Sequence, residues 1–297
     1  MVLIKSRSIS RVRKIVLSED VWLSTQSHIF TICYKKNTLP KELRVYVAAT
    51  TQCYPNLPLA DAIEKLAHLE FSHIEVGVHQ SGGHLKPSDI VSDLRQCYDI
   101  LHSTQRLTVV GLSLEIEEEG DKYFDTFTKC CELAKLSKIV TLTVASSEHG
   151  TPFNEEVERY KTLVKIAQKH GVTVAMRSTQ GRISADPDTV SVICRHVEGL
   201  GLSLDPSHYH LGQPPETMIY ENLIDYVHNV YLRDSTPEKL QVRVGQGIIE
   251  YGKLINLLRK ANFKKALCVD IGPPDDPEID HDGELRKLRL LLESLVV

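Results

Sequence analysis

Several absences narrow the field before any motif is considered. No apolar stretch approaches the roughly 20 residues that a membrane-spanning helix needs, so no membrane partner is expected. There is no basic excess: Lys and Arg number 35 against 39 acidic residues, which leaves no overall positive footprint for nucleic acid. There is no C-x-x-C pair, and the seven cysteines (Cys33, Cys53, Cys97, Cys130, Cys131, Cys194 and Cys268) are odd in number and scattered. That usage fits reduced thiols packed as small core residues, and with them a cytoplasmic protein. Low-complexity segments and internal repeats are missing as well.

What is present is a chain of 297 residues, 42% hydrophobic, which is enough to bury a large core. The first forty residues stand apart. Lys5, Arg7, Arg11, Arg13 and Lys14 precede the first acids, Glu19 and Asp20, and the single tryptophan, Trp22, lies in a stretch without helical or strand period. No apolar h-region follows the basic start, so residues 1–40 are read as an N-terminal extension, poorly ordered or non-native, and not as a targeting peptide.

From Arg44 the pattern becomes regular. Short β-branched runs are predicted as eight strands: Arg44–Ala49, His73–Val78, Leu107–Leu114, Ile139–Val144, Val172–Met176, Leu200–Leu204, Val230–Leu232 and Ala266–Val269. Amphipathic helical stretches lie between them, such as Leu59–Leu69 and Val157–His170, and a last one over Gly283–Leu295. Pro58, Pro87 and Pro152 mark helix starts, and Gly171 marks an end. Continuous apolar strands alternating with helices imply a parallel sheet covered on both faces. Eight such units predict an α/β fold of the (β/α)8 TIM barrel type over residues 41–297.

Strand side chains alternate, so one parity faces the barrel interior. Polar residues select that parity as Glu75, Gly77 and His79, then Ser113 and Glu115, Ala175 and Arg177, Gly201, Ser203 and Asp205, Tyr231 and Arg233, and Cys268 and Asp270. The charged ones gather at the carboxyl ends of strands, where barrels bind ligands. The sharpest segment is Gly201-Leu-Ser-Leu-Asp-Pro-Ser-His208: a strand ends in a carboxylate, turns at Pro206 and presents an imidazole three residues on. The plainer alternative is that these charges only neutralise one another.

The chain resembles the xylose isomerase-like TIM barrel superfamily, which includes sugar-phosphate isomerases and epimerases, hydroxypyruvate isomerases, inosose dehydratases and, more distantly, endonuclease IV. The resemblance runs from about Arg44 to Leu295. It is carried by Ile74-Glu-Val-Gly77, Leu204-Asp-Pro-Ser-His208, Val230-Tyr-Leu-Arg-Asp234, the loop Val242-Arg-Val-Gly-Gln-Gly247 leading into Tyr251-Gly252, and Cys268-Val-Asp270. It implies one divalent metal (Mn, Mg, Zn or Co), held by a glutamate at the end of strand five, an aspartate in strand six, a histidine in strand seven and an acid in strand eight. The metal polarises a carbonyl and the adjacent hydroxyl so that a proton can move between neighbouring carbons. Asp205 matches the aspartate, and His208 matches the nearby substrate-binding histidine. The glutamate falls at Arg177, the strand-seven histidine at Tyr231, and the last acid at Asp270. A guanidinium cannot ligate a metal, and a phenol is a poor ligand near neutrality. Asp205 and Asp270 alone are too few for Mg²⁺ or Mn²⁺, so the metal centre is expected to be lost.

Two functions stay open at this stage. In one, Arg177 supplies the positive charge that a metal would, with Asp205 and Asp270 beside it and His208 or Glu115 moving protons, in metal-independent isomerase, epimerase or inosose dehydratase-like lyase chemistry. In the other, the barrel keeps its pocket as a sugar-binding or regulatory protein. Glu75, His79, Tyr231, Arg233 and Arg243 are the expected contacts for a sugar or sugar-phosphate ligand. Gly245-Gln-Gly247 is read either as a phosphate site built from backbone amides or as a turn that requires glycine. Gly272–Pro277 is read as a loop that could close over the pocket. A homo-oligomer is also left open.

Overall fold

A computed structural model of the chain describes residues 45–104, 107–213, 220–274 and 279–296, together with three strands among residues 1–44. The chain divides into two compact units, residues 1–44 and 45–297. In the first unit, β1 (Lys14–Ser18), β2 (Val21–Gln26) and β3 (Ile29–Tyr34) pair in that order as an antiparallel sheet. Strand propensity carries these segments where alternation does not, since Val, Ile, Thr, Phe and Trp recur along them. The expectation of a poorly ordered or non-native extension over residues 1–40 otherwise falls outside the described residues.

The second unit is a closed parallel barrel of β4 (Tyr46–Thr50), β5 (His73–His79), β6 (Thr108–Glu115), β7 (Thr141–Ala145), β8 (Thr173–Arg177), β9 (Gly201–Leu204), β10 (Val227–Leu232) and β11 (Ala266–Val269). Each strand pairs with the next, and β11 closes on β4 through Ala266↔Tyr46 to Val269↔Ala49. All eight predicted strands are present, and the chain is a (β/α)8 TIM barrel. Their ends move by a few residues: β10 begins at Val227, not Val230, because the 3-10 turn Glu221–Tyr226 leads directly into it.

The helices are α1 (Leu59–His68), α2 (Pro87–Ser92), α3 (Leu94–His102), α4 (Gly120–Leu136), α5 (Phe153–Lys169), α6 (Pro187–His196), α7 (Pro206–His210), α8 (Tyr251–Lys260) and α9 (His281–Val296). Pro58 and Pro152 occupy N-cap positions and Pro87 the first turn, as their fixed φ favours. α5 starts earlier than its apolar period suggests, since Glu155 and Glu156 in its first turn suit the helix dipole.

Outward strand residues such as Val76, Leu112 and Leu142 are fully buried against helix residues such as Leu66, Phe127 and Leu163. Each such side chain contributes about 1.5–3 kcal/mol by leaving water. The inward residues differ. Among the described residues their buried apolar cluster is Ala48, Tyr231, Ala266 and Cys268, and Glu75, Thr143, Ser203 and Asn229 fill the rest of the lumen with polar groups. Six cysteines of the described residues are free and buried, and no helix among them is long and apolar enough to cross a membrane.

Candidate active site at the barrel mouth

Four strands deliver the centre of the site. β8 ends in Arg177, and Asp205, Arg233 and Asp270 follow the last residues of β9, β10 and β11. Asp205 is fully buried and is the N-cap of α7: its Oδ1 accepts from the Ser207 amide at 3.2 Å and from the Ser207 hydroxyl, while Pro206 takes the first helical position. That cap fixes the carboxylate and turns Oδ2 toward the mouth. Arg233 Nη2 donates to Asp205 Oδ2 at 2.8 Å and lies 2.7 Å from Asp270 Oδ2. Arg177 Nη2 donates to Asp270 Oδ2 at 2.6 Å, with Asp205 Oδ2 at 3.6 Å. The result is a neutral quartet of two guanidiniums and two carboxylates.

The electrostatics follow from that packing. Burial works to raise the Asp205 pKa, but Arg233, His208 and Arg177 outweigh it and hold the carboxyl below its ordinary value. Burial also works against charge on Arg177, and Asp270, Tyr231 and Asp205 overcome it. The Arg177 guanidinium lies over the Tyr231 ring, 4.1 Å from its centroid, so a cation–π contact supports it from below. Tyr231 is fully buried, and its phenol pKa is driven well above the ordinary value, chiefly by burial and next by Glu75.

His208 is held on both sides. Its Nδ1 accepts from the Gln180 amide at 3.1 Å, its carbonyl accepts from the Gln180 side chain at 2.6 Å, and Nε2 lies 3.7 Å from Asp205 Oδ2. Burial lowers its pKa, so the ring is neutral near pH 7 and carries its proton on Nε2. His79, on β5, is lowered for the same reason, and its contacts are loose: Glu115 at 3.7 Å and Ser113 at 3.5 Å. Deeper in the lumen, Glu75 Oε1 accepts from Asn229 at 3.2 Å and Thr143 at 3.4 Å, while Oε2 has no partner. Burial raises the Glu75 pKa to about 7, against the opposing influence of Tyr231 and Arg177.

A cavity of about 370 Å³ opens over this centre, lined by Arg177, Arg233, Asp270 and His208 on one side and by His79 and Glu115 on the other. Its position at the carboxyl ends of the strands is the one that barrels use for ligands. The profile of the xylose isomerase-like TIM barrel family matches residues 63–291, most of the barrel. The chain belongs to that family. No curated protein matches it. Solved structures with the same fold include a xylose isomerase-like TIM barrel protein from Mycobacterium smegmatis in complex with magnesium (15% identity, 84% of this chain and 96% of that one, TM-score 0.66). D-psicose 3-epimerase in the presence of D-fructose is similar at 14% identity, 84% and 99% coverage and TM-score 0.64. The IOLI protein with a binding zinc atom gives 16% identity, 84% and 98% coverage and TM-score 0.64.

In this xylose isomerase-like barrel the residues expected from sequence take different depths. Arg177, Asp205, His208, Arg233 and Asp270 meet at the mouth, and His79 and Glu115 face them across the cavity. Glu75 and Tyr231 lie beneath, outside the lining, because their strand positions are two or more residues below the rim. Arg243, expected as a ligand contact, is exposed and is not among the residues that line the cavity. Its loop is folded around a carboxylate: Asp234 accepts from the amides of Gly245 at 2.7 Å, Gly247 at 3.0 Å and Ile249 at 3.4 Å. Gly245 has φ +87°, and a Cβ on Gly247 would lie 2.1 Å from Asp234 Oδ1, so the glycines serve the turn and their amides are not free for phosphate. The proposed closing loop Gly272–Pro277 falls partly outside the described residues; Gly272 is tied to the Gln241 side chain through both its amide and its carbonyl.

Sequence reasoning missed Gln52, Thr143, Thr179 and Arg182, all of which line the cavity. Gln52 had one signal, Gly77 in β5. A Cβ there would clash with Gln52 Nε2, so the glycine makes room for the Gln52 side chain from the turn after the neighbouring β4. Among the described residues no group of three or more His, Cys, Asp or Glu side chains could hold a metal ion.

Proposed function

We propose that this barrel takes a small polyhydroxy carbonyl compound into its mouth and handles it without a divalent metal, as an isomerase- or epimerase-like member of its family. The observation that carries this reading is Arg177 Nη2 at 2.6 Å from Asp270 Oδ2, with Arg233 bridging Asp270 and Asp205. The donor set does not fit a metal centre. Both carboxylates are already neutralised by guanidiniums, Arg177 would repel a cation, and Tyr231 is buried with a phenol that resists ionisation.

The same groups suit the charge that develops when a carbonyl enolises. Guanidinium charge beside an oxyanion stabilises it most where water is excluded, and the quartet holds two guanidiniums at the mouth, each with its Nη2 engaged by the carboxylates. His208 Nε2–H adds a donor. Proton movement then falls to His79 and Glu115, which face the mouth from the other wall.

A second reading, binding without turnover, is favoured by the state of His208. Its one basic nitrogen is occupied by the Gln180 amide, so it cannot take a proton from a ligand without losing that bond.

Metal analysis of protein purified without chelator, followed by thermal shift with ketoses in the presence and absence of EDTA, tests the proposal. Metal well below one ion per chain and stabilisation indifferent to EDTA are expected. Stoichiometric Mn, Mg, Zn or Co would overturn the metal-free reading. Turnover assays on any stabilising ligand then decide between isomerisation and binding alone.

A further inference from the structure

Among the described residues, Arg182 is the arginine lining the mouth that does not belong to the neutral quartet. It lies five residues past the end of β8 and lines two cavities: the mouth, and a neighbouring one of about 520 Å³ whose wall includes His149, Thr151 and Thr189. Its backbone is tied to residues 147–149. Arg182 bridges to Glu148, its neighbour Gly181 accepts from the His149 amide at 3.1 Å, and the Ile183 amide donates to Ser147 at 3.0 Å. Ser184 completes the brace, with its hydroxyl donating to the Arg177 carbonyl at 2.7 Å.

The side chain is held at one end only. Nη1 donates to the Ser146 carbonyl at 2.7 Å, which anchors one corner of the guanidinium. Nη2 has just Glu115, 4.0 Å away, beyond hydrogen-bond reach. Glu115 itself is half exposed and is also shared with His79 at 3.7 Å. Arg177 and Arg233 are matched one for one by Asp205 and Asp270, whereas Arg182, a lining residue of both cavities, offers a cationic donor whose counter-ion is loose.

We infer that Arg182 selects the ligand: the compound bound at the mouth carries an anionic group, a carboxylate or a phosphate, which Arg182 grips at the junction of the two cavities while the polyhydroxy carbonyl end meets the Arg177 and Arg233 centre. This rests on the metal-free polyhydroxy carbonyl reading above and narrows its substrate class. A guanidinium suits both anions because its planar fork matches their oxygens. The second cavity gives the chain between the two ends room to extend.

The test is calorimetric titration of the full chain with three compounds that differ only at C6: D-fructose, D-fructuronate and D-fructose 6-phosphate. At least one anionic compound is expected to bind about ten- to a hundredfold more tightly than D-fructose, the gain of a charge-assisted hydrogen bond. The arm that wins identifies carboxylate or phosphate. Arg182→Gln should remove the preference and leave D-fructose binding within about twofold, and Arg182→Lys should restore part of it for the phosphate, as a point charge does. Glu115→Gln, at a half-exposed position that does not threaten folding, should tighten anion binding several-fold by removing the competing carboxylate.

Three outcomes overturn the inference. If the parent binds D-fructose as well as both anions, Arg182 selects nothing and the parent reading of the mouth survives. If Arg182→Gln weakens all three compounds equally, its role is to hold the wall. If none of the three binds, the polyhydroxy carbonyl reading fails and this inference fails with it.

Discussion

The two faces of the barrel strands are built from alternate residues of the same segments, yet they obey different rules. Outward residues such as Leu112, Leu142 and Leu202 form one apolar shell with the helices. Among the described residues, the inward ones leave four in a buried apolar cluster and otherwise place Glu75, Thr143, Ser203 and Asn229 in the lumen and the arginine–aspartate quartet at its mouth. The shell gives stability at low specificity, since apolar packing of the right volume tolerates exchange. The lumen does the reverse. Burying two ion pairs costs desolvation that their attraction only roughly repays, so a well-packed apolar core would hold the fold as well. On the function proposed above, that charge serves the ligand.

The comparison can be broken most severely at Asp205. Asp205→Asn preserves an acceptor for the Ser207 cap but leaves Arg233 and Arg177 short of one carboxylate in a buried site. Removing one partner from such a cluster costs about 3–5 kcal/mol, and urea denaturation at pH 7 should show it. The pH dependence has a definite sign. Because the folded state holds Asp205 below its ordinary pKa, its contribution is present above the unfolded value and is lost as pH falls through the acid range. The parent should therefore lose stability more steeply than the variant on acidification. A loss under about 1 kcal/mol at pH 7 would mean that the quartet is not the tight unit described.

A shell substitution of comparable burial sets the scale. Leu142→Ala on β7 removes a fully buried outward side chain and should cost about 2–5 kcal/mol, depending on how far the helices collapse into the space. The decisive contrast is ligand binding. Once both variants are folded, Leu142→Ala should bind the mouth ligand as the parent does, while Asp205→Asn should bind it at least about tenfold more weakly, the loss of one charge-assisted hydrogen bond. Equal losses of affinity would erase the functional distinction between the two faces.

How much of this was legible in the sequence depends on the same division. The shell is written as composition: every barrel strand showed as a continuous apolar run because both of its faces are buried, and the polar residues gave the parity of six of the eight. Residues at strand ends were also legible, since a charge that closes an apolar run has few places to go. Arg177, Asp205, Arg233 and Asp270 meet as that logic requires. Depth within the lumen was not legible. Nothing local says that Glu75 and Tyr231 stop short of the cavity, because depth depends on the stagger of neighbouring strands. Loops were least legible. Arg182 is held at the mouth by bonds between its loop and residues 146–149, among them the Ser146 and Ser184 hydrogen bonds, and Arg243 lies outside it where Asp234 gathers the glycine loop. Side-chain-to-backbone contacts between segments far apart in the chain leave no periodic trace.

The smallest expected effect sits at the boundary between the two regimes, on Glu75. It is a lumen residue without a counter-ion in hydrogen-bond contact, and one of its oxygens is unpartnered. Burial raises its pKa to about 7, well above the ordinary glutamate value, so the folded protein binds a proton there that the unfolded chain has already lost. Stability attributable to this group is present at low pH and is lost as pH rises from the unfolded pKa toward the folded one. Glu75→Gln keeps the acceptor for Thr143 and Asn229 and removes the charge. It should leave stability near pH 5 almost unchanged and raise it by about 1–3 kcal/mol at pH 8, where the parent must hold a buried carboxylate. Thermal unfolding of parent and variant across pH 5 to 8 measures the difference directly. Parallel curves would show that Glu75 stays ionised throughout, held by Arg177 from above, and the division between a charged mouth and a neutral lumen would move one layer down the barrel.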